Sequence, residues 1–432
     1  MRLLLKNCSI ADPENNYEGS MDILIESGRI EKLEPTISEQ ADRTIDLKGL
    51  YVLPGFVDMH THLREPGFEY KETVYSGTRA AARGGYTTVC CMPNTKPVLD
   101  NEEALALLLD IIKRDAAVKV CPIAAISRGQ KSAELTDMKK LLEQGAVAFS
   151  DDGKPVMTAA FMREALLAAR DNDWLLIEHC EELSLAEGGA INLGKASKRL
   201  GIKGIHPLSE ELNIMRDIML AEETGAHIHI AHVSTAKSAE IIRTAKAKGI
   251  RVTCEVTPHH IGLTEDIITP GYTDCKVNPP LRTAVDVAAL KEALKDGTID
   301  VIATDHAPHH KSEKRDDFYR SAFGISGIET AFAVCCTELV EAGVLTLREL
   351  AGKMSSKPAK LLKLGTGEIR MGMPADLVVV DTSAVITVDR DKLLSMGKNT
   401  PFHGRSYTGD IAYTIVNGRI VFENTSLIEK NK

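Results

Sequence analysis

Apolar positions along this chain fall into two textures. Through the middle, short near-continuous apolar runs alternate with longer stretches in which apolar residues recur at helical spacing. The short runs predict strands at Gly55–His60, Tyr86–Met92, Lys119–Ile126, Ala146–Ser150, Trp174–His179, His227–Val233, Arg251–Val256 and Val301–Thr304. Between them, Asn101–Asp115, Thr158–Asp171, Thr235–Lys248 and Val285–Lys295 read as amphipathic helices. Apolar strands alternating with such helices indicate a parallel sheet covered on both faces. Eight such units over about 300 residues favour an α/β fold closed as a (β/α)8 TIM-type barrel. A doubly wound open sheet is the rival, but no Gly-x-Gly-x-x-Gly follows the first strand. Helices near 327–342 and 346–363 follow the eighth strand.

The two ends of the chain have a different pattern. Asp22–Ile25 and Arg29–Leu33 flank Glu26-Ser27-Gly28, a hairpin turn. Near the other terminus Asp376–Asp381 predicts a strand, and Tyr413–Val416 and Arg419–Phe422 flank Asn417-Gly418, a strong short hairpin signal. We therefore expect a small β-sandwich domain from residues 1–52 plus 366–432, and a barrel from residues 53–365.

Composition narrows the class. Hydrophobic residues make up 44% and charged residues 26%, as in ordinary globular enzymes. No apolar run approaches the roughly 20 residues that span a bilayer. The start Met1–Lys6 is too short in apolar residues for a secretory signal, so a cytoplasmic protein is expected. The nine cysteines include no Cys-x-x-Cys pair, which argues against a disulfide framework or a thiolate zinc knot. A formal charge of −9 argues against a nucleic-acid partner.

Chemistry in a barrel of this kind sits at the carboxyl ends of its strands. Strand one ends in His60 and His62, which leave an extended backbone on the same side. Strand four ends in Asp151-Asp152, strand five in Glu178-His179, strand six in His232 and strand eight in Asp305-His306. Each histidine alone reads as an ordinary core residue. Together, ligand types at five of eight strand ends point to a metal centre, since imidazole suits zinc and a carboxylate can bridge two ions. His259-His260 cannot both face one metal if the chain is extended there, and they are expected to be structural or to lie behind the ligands as outer partners. Asp58 and Glu178, each beside a ligand, are candidates for orienting the metal histidines.

The stretch Pro54-Gly-Phe-Val-Asp-Met-His60-Thr-His62-Leu-Arg64-Glu-Pro-Gly67 resembles the opening signature of the amidohydrolase superfamily and, within it, of bacterial type I dihydroorotases. Supporting stretches are Met92–Thr95, Glu178-His179, His232–Thr235, Lys276–Arg282, Ala303–His309 and Gly372–Leu377, so the likeness runs essentially the whole length.

The resemblance implies two zinc ions per subunit, His60 and His62 with Asp305 on the first and His179 with His232 on the second. Many relatives bridge the ions with a carboxylated lysine. Here Phe149-Ser150-Asp151-Asp152-Gly153 resembles the members that use an aspartate, with Asp152 the bridge, Asp151 the alternative, and Lys154 just beyond. The implied reaction is the reversible cyclisation of N-carbamoyl-L-aspartate to (S)-dihydroorotate with loss of water, the third step of de novo pyrimidine (UMP) biosynthesis. A zinc-bound hydroxide would attack the ring carbonyl and Asp305 would carry the proton. Arg64, two residues past His62, falls on the same face if the extended geometry continues, and suits the substrate carboxylate. His62 and Asn94 would add contacts, and the resemblance adds Asn278, His309, Phe323 and Gly324. The long polar loop 308–324 is expected to close as a lid. A homodimer is implied, with room for an association with aspartate transcarbamoylase. The competing readings are a hydantoinase or allantoinase on the same fold, and a metal-free scaffold for a partner transcarbamoylase.

Overall fold

Both ends of the chain pair into one sheet around a middle that closes on itself. The computed structural model describes residues 2–17 and 19–430, so positions 1, 18, 431 and 432 of the expected small domain lie outside the described residues. The first strands are β1 (Arg2–Ile10), β2 (Ser20–Glu26), β3 (Arg29–Glu34), β4 (Arg43–Asp46) and β5 (Tyr51–Pro54). β2 and β3 meet at Ser27-Gly28, where both residues take positive φ (51° and 82°), the two-residue turn whose twist matches a hairpin. β1 pairs antiparallel with β2 and parallel with β4 and β5.

The barrel follows at once. Its strands are β6 (Phe56–Thr61), β7 (Tyr86–Cys91), β8 (Lys119–Ala124), β9 (Ala148–Ser150) and β10 (Leu176–Glu178), and, after the two-stranded ribbon β11 (Ile191–Asn192) and β12 (Gly204–Ile205), β13 (Ile228–Ile230), β14 (Val252–Val256) and β15 (Val301–Ile302). They lie parallel in chain order from β6 to β15. The circle closes where Thr61 bridges to His306 and the His62 N–H donates to the His306 carbonyl at 2.8 Å. Every residue of β6, β7, β9, β10, β13 and β15 is buried, because helices cover one face and the barrel interior fills the other. The covering helices start where a side-chain oxygen satisfies a free backbone N–H: Thr73, Asn101, Thr158, Thr235 and Thr283 each accept from the third helical residue.

After β15 the expected continuous helices are interrupted. The helix Ala331–Cys335 widens into a π turn over Cys336–Glu341, and Leu347–Ala351 into another over Gly352–Ser356. The widened turns let side chains bond outside the helix: Thr337 Oγ1 accepts from the Thr408 N–H, and Ser355 Oγ donates to the Pro54 carbonyl. The chain then returns as β16 (Leu377–Thr387), β17 (Ser406–Val416) and β18 (Arg419–Glu423). β16 runs antiparallel to β5, giving the order β18-β17-β16-β5-β1-β2-β3 with β4 beside β1. Alternate residues fill a core of Leu3, Leu5, Ile23, Ile25, Val52, Leu377, Val379 and Ile415. Among the described residues no helix is long and apolar enough to cross a membrane.

Candidate metal centre and active site

The carboxyl mouth of the barrel gathers imidazoles and carboxylates from five strands. His60 Nε2 lies 3.3 Å from Asp152 Oδ1 and 3.6 Å from Asp305 Oδ1. His62 Nε2 lies 3.3 Å from Asp152 Oδ2 and 3.1 Å from Asp305 Oδ1. His179 Nδ1 and His232 Nε2 sit 2.9 Å apart, at 3.8 and 3.6 Å from Asp152 Oδ1. Two overlapping groups, His60 with His62 and Asp305, and His60 with Asp152 and His232, present donors close enough to share an ion.

Asp151 and Asp152 point apart. The Asp151 carboxylate accepts from the backbone N–H groups of Ile126 and Ser127 and from the Ser127 hydroxyl, which turns it away from the cluster. Lys154 is exposed. Neither Asp58 nor Glu178 touches an imidazole. Asp58 accepts from the His60 and Thr304 backbones and the Thr304 hydroxyl, tying β6 to the end of β15, while Glu178 accepts from the Val156 N–H. The carboxylates that do hold the rings are Glu255, 2.6 Å from His60 Nδ1, and Glu181, 3.3 Å from His179 Nε2. His259 and His260 lie on a short helix, Pro258–Gly262, not an extended segment. His260 bonds to Thr257 and to the Pro279 carbonyl.

The donor set fits a cation. His60 Nε2 and Asp152 Oδ1 are both buried without a hydrogen-bond partner although they face each other. Leaving such groups unpaired in a protein interior is costly. Burial works against charge on Asp152, but the neighbouring His60, His232 and His62 overcome it and hold the carboxyl well below its usual range. Burial likewise opposes charge on Asp305, and His62, His60 and His232 hold it low. Conversely, burial would lower His60, yet Asp152 and Glu255 raise it. The cluster draws positive charge to itself, and metal ions supply it most effectively where nitrogen and oxygen donors converge.

At the cluster opens a cavity of about 210 Å³, lined by its His62, Asp152, His179, His232 and Asp305 together with Arg64, Asn94, Asn278, Phe323 and Gly324. Arg64 is not on an extended segment. Its φ is +64°, and its guanidinium enters the cavity with Nε donating to the Pro308 carbonyl. Burial lowers the Arg64 guanidinium to about 10, still fully charged at neutral pH. Asn94 Oδ1 lies 3.0 Å from His62 Nδ1, which leaves His62 Nε2 for the cluster. Asn278 Nδ2 donates to Glu181. His309 stands behind this wall, its Nε2 donating to the Phe323 carbonyl at 2.7 Å. Burial and the Arg64, Lys71 and Lys314 charges push His309 down to about 2, so it is a neutral ring, with Glu313 Oε2 3.3 Å from its Nδ1. The Gly324 N–H and carbonyl are also bonded internally, to Lys276 and Asn399. A larger cavity of about 440 Å³ lies across loop 308–324, lined by His309, His310 and Lys314, and contains none of the metal-type cluster.

Gly153 is shaped by this wall. Its φ is +83°, and a Cβ there would lie 2.8 Å from Asn94 Nδ2. Gly153→Ala is expected to cost about 1–2 kcal/mol from the left-handed backbone alone, read by denaturant unfolding. It should also raise KM by displacing Asn94.

Comparison with known proteins adds to this geometry. The family described as Dihydro-orotase-like matches residues 49–238. The chain is similar to a dihydroorotase of Thermoanaerobacter sp. (strain X514), 49% identical over 430 residues that cover 100% of this chain and 99% of that one. A dihydroorotase of Syntrophus aciditrophicus (strain SB) is 48% identical over 98% of this chain and 100% of its own length. Among solved structures, an L-hydantoinase (dihydropyrimidinase) from Arthrobacter aurescens superposes with a TM-score of 0.88 at 26% identity, covering 98% of this chain and 96% of that chain.

Proposed function

The chain belongs to the dihydroorotase family, and from that premise we propose how its mouth cluster works. The enzyme catalyses the reversible cyclisation of N-carbamoyl-L-aspartate to (S)-dihydroorotate with loss of water, a step of de novo pyrimidine biosynthesis. The L-hydantoinase that shares the fold stands at 26% identity against 49% for the dihydroorotase relative. The geometric observation that carries the reading is Arg64, a guanidinium in the same cavity as the imidazole–carboxylate cluster. A ring bearing a carboxylate needs such a cation, and hydantoin does not.

His60, His62 and Asp305 would hold one ion, His179 and His232 a second, with Asp152 between them. Two zinc ions so held would supply Lewis-acid polarisation of the reacting carbonyl and would lower the pKa of a bound water from about 15.7 to about 7. Everything else falls to side chains. Arg64 grips the carboxylate beside the ring through two hydrogen bonds, and Asn94 and Asn278 fix the ring amides. Asp305, held ionised by its surroundings, is the proton carrier. In hydrolysis it takes a proton from the attacking water and delivers it to the departing ring nitrogen. In synthesis it removes a proton from the carbamoyl nitrogen as the C–N bond forms and returns it to the carboxylate oxygen, which leaves as hydroxide and becomes water with one further proton from solvent. Homodimerisation and an association with aspartate transcarbamoylase belong to the same reading.

Chelator treatment followed by zinc titration is the test. Activity on N-carbamoyl-L-aspartate should vanish with the metal and return as two zinc per chain are bound, with hydantoin and allantoin turned over poorly throughout. Full activity in the stripped enzyme would refute the metal reading. Recovery complete at one ion per chain would refute the bridging role of Asp152. Hydantoin turned over faster than dihydroorotate would refute the role given to Arg64.

A further inference from the structure

The barrel interior is filled mostly by apolar side chains, among them Met59, Ile123, Ile177, Ala231 and Val301. One seam is polar from end to end. At the amino-terminal ends of the strands, His227 lines a cavity of about 220 Å³ together with Trp174, Arg251 and Lys363. His227 Nε2 lies 2.9 Å from Thr253 Oγ1, and the same hydroxyl lies 2.9 Å from His229 Nδ1. His229 Nε2 lies 3.4 Å from Glu255 Oε2, and Glu255 Oε1 lies 2.6 Å from His60 Nδ1. Five side chains thus connect the floor of the barrel to the cluster at its mouth. Thr253 and Glu255 are two residues apart on β14, and His227 and His229 two apart at the start of β13, so strand alternation turns each pair to one side.

Donor and acceptor capacities allow this chain one direction only. A histidine that ligates through Nε2 must keep that lone pair free, so His60 carries its proton on Nδ1 and gives it to Glu255. An ionised carboxylate only accepts, so His229 must donate to it through Nε2–H and accept at Nδ1. The Thr253 hydroxyl has a single hydrogen, which goes to His229 Nδ1, so the hydroxyl oxygen accepts from His227 Nε2–H.

We infer that His227, Thr253 and His229 are positioning residues, a one-way hydrogen-bond relay that orients Glu255 and through it holds His60 with Nε2 presented to the metal. Glu255 is fully buried, with one carboxylate oxygen facing His60 Nδ1 and the other facing His229 Nε2, so each oxygen meets a ring nitrogen of the relay. Burial pushes His227 down to about 4, so it stays a neutral ring with a single N–H to give. The inference rests on His60 being a metal ligand, and extends that reading to side chains that touch neither metal nor substrate.

The test uses zinc-loaded enzyme with ¹⁵N-labelled histidine, whose ring tautomers are read by long-range proton–nitrogen correlation, together with zinc affinity by chelator competition. In the wild type, His229 should carry its proton on Nε2 and His227 on Nε2. Thr253→Val keeps the shape and removes the hydroxyl. It should mix the His229 tautomers and weaken zinc binding by about tenfold, the lower end for an outer partner of a metal histidine. Thr253→Ser restores the hydroxyl and should restore both readouts. His227→Gln keeps an N–H donor and should bind zinc more tightly than His227→Leu. Unchanged tautomers and affinity in Thr253→Val would overturn the relay, as would Thr253→Ser behaving like Thr253→Val, since loss of packing would then explain both. Ordered tautomers in a protein that takes up no zinc would count against the metal reading while supporting the relay.

Discussion

Asp305→Asn should lower kcat by about 10³–10⁴ in both directions, at the upper end for a single acid–base group. Asparagine matches aspartate in shape, can still offer Oδ1 to a metal, and tolerates the positive φ of 46° at this position better than most residues. What it cannot do is take a proton. The expected signature is therefore a collapse in kcat with zinc content and thermal unfolding close to wild type. Asp305 lies 3.1 Å from His62 Nε2 and 3.6 Å from His60 Nε2, so metal analysis must accompany the kinetics. A kcat within tenfold of wild type, at full metal occupancy, would move the proton-carrying role elsewhere.

Arg64→Ala should lower kcat/KM for N-carbamoyl-L-aspartate by roughly 10²–10³, the cost of leaving a charged partner unpaired in a closed site. The loss should fall mainly on KM if the guanidinium holds ground state and transition state alike. Arg64→Lys should recover only part, because an ammonium lacks the planar fork that meets a carboxylate at two points. Turnover of hydantoin, which has no carboxylate, should be little affected. An equal loss on both substrates would mean that Arg64 serves the loop through Pro308 instead of the substrate.

The barrel was legible because its strands are short apolar runs punctuated by helical spacing, and because their ends carry histidines and aspartates. His60, His62, Asp152, His179, His232 and Asp305, read from strand ends, share one cluster. Position after the histidine pair was enough to single out Arg64, but the geometry offered for it was not what the chain does, since a left-handed turn replaces the extended strand. Orientation beyond the backbone was harder. Asp58 and Glu178 stand near ligands in sequence, yet Asp58 bonds to backbone and to the Thr304 hydroxyl and Glu178 to the Val156 backbone, whereas Glu255, far away in sequence, reaches His60 across the barrel. The available signal was a carboxylate inside the otherwise uncharged run Val252–Val256, a residue that a buried strand tolerates only with a partner. The π turns after β15 had no such signal, because apolar spacing alone does not separate a continuous helix from one that widens.

β5 passes into β6 through a single residue. Gly55 donates its N–H to the Asp376 carbonyl of the terminal sheet, and a Cβ there would lie 2.2 Å from Thr87 Cγ2 of the barrel. Leu53, Val378, Val380 and Ile411 of the sheet share one apolar core with Phe56, Tyr86 and Phe332. No swivel is left between the two bodies. Enzymes that admit substrate by rotating one lobe away from another need a pliable connector and a separable interface, and this chain has neither at that junction. Traffic in and out of the mouth therefore depends on the rim segments alone, and the sheet acts as a fixed buttress behind the strand that carries His60 and leads into His62.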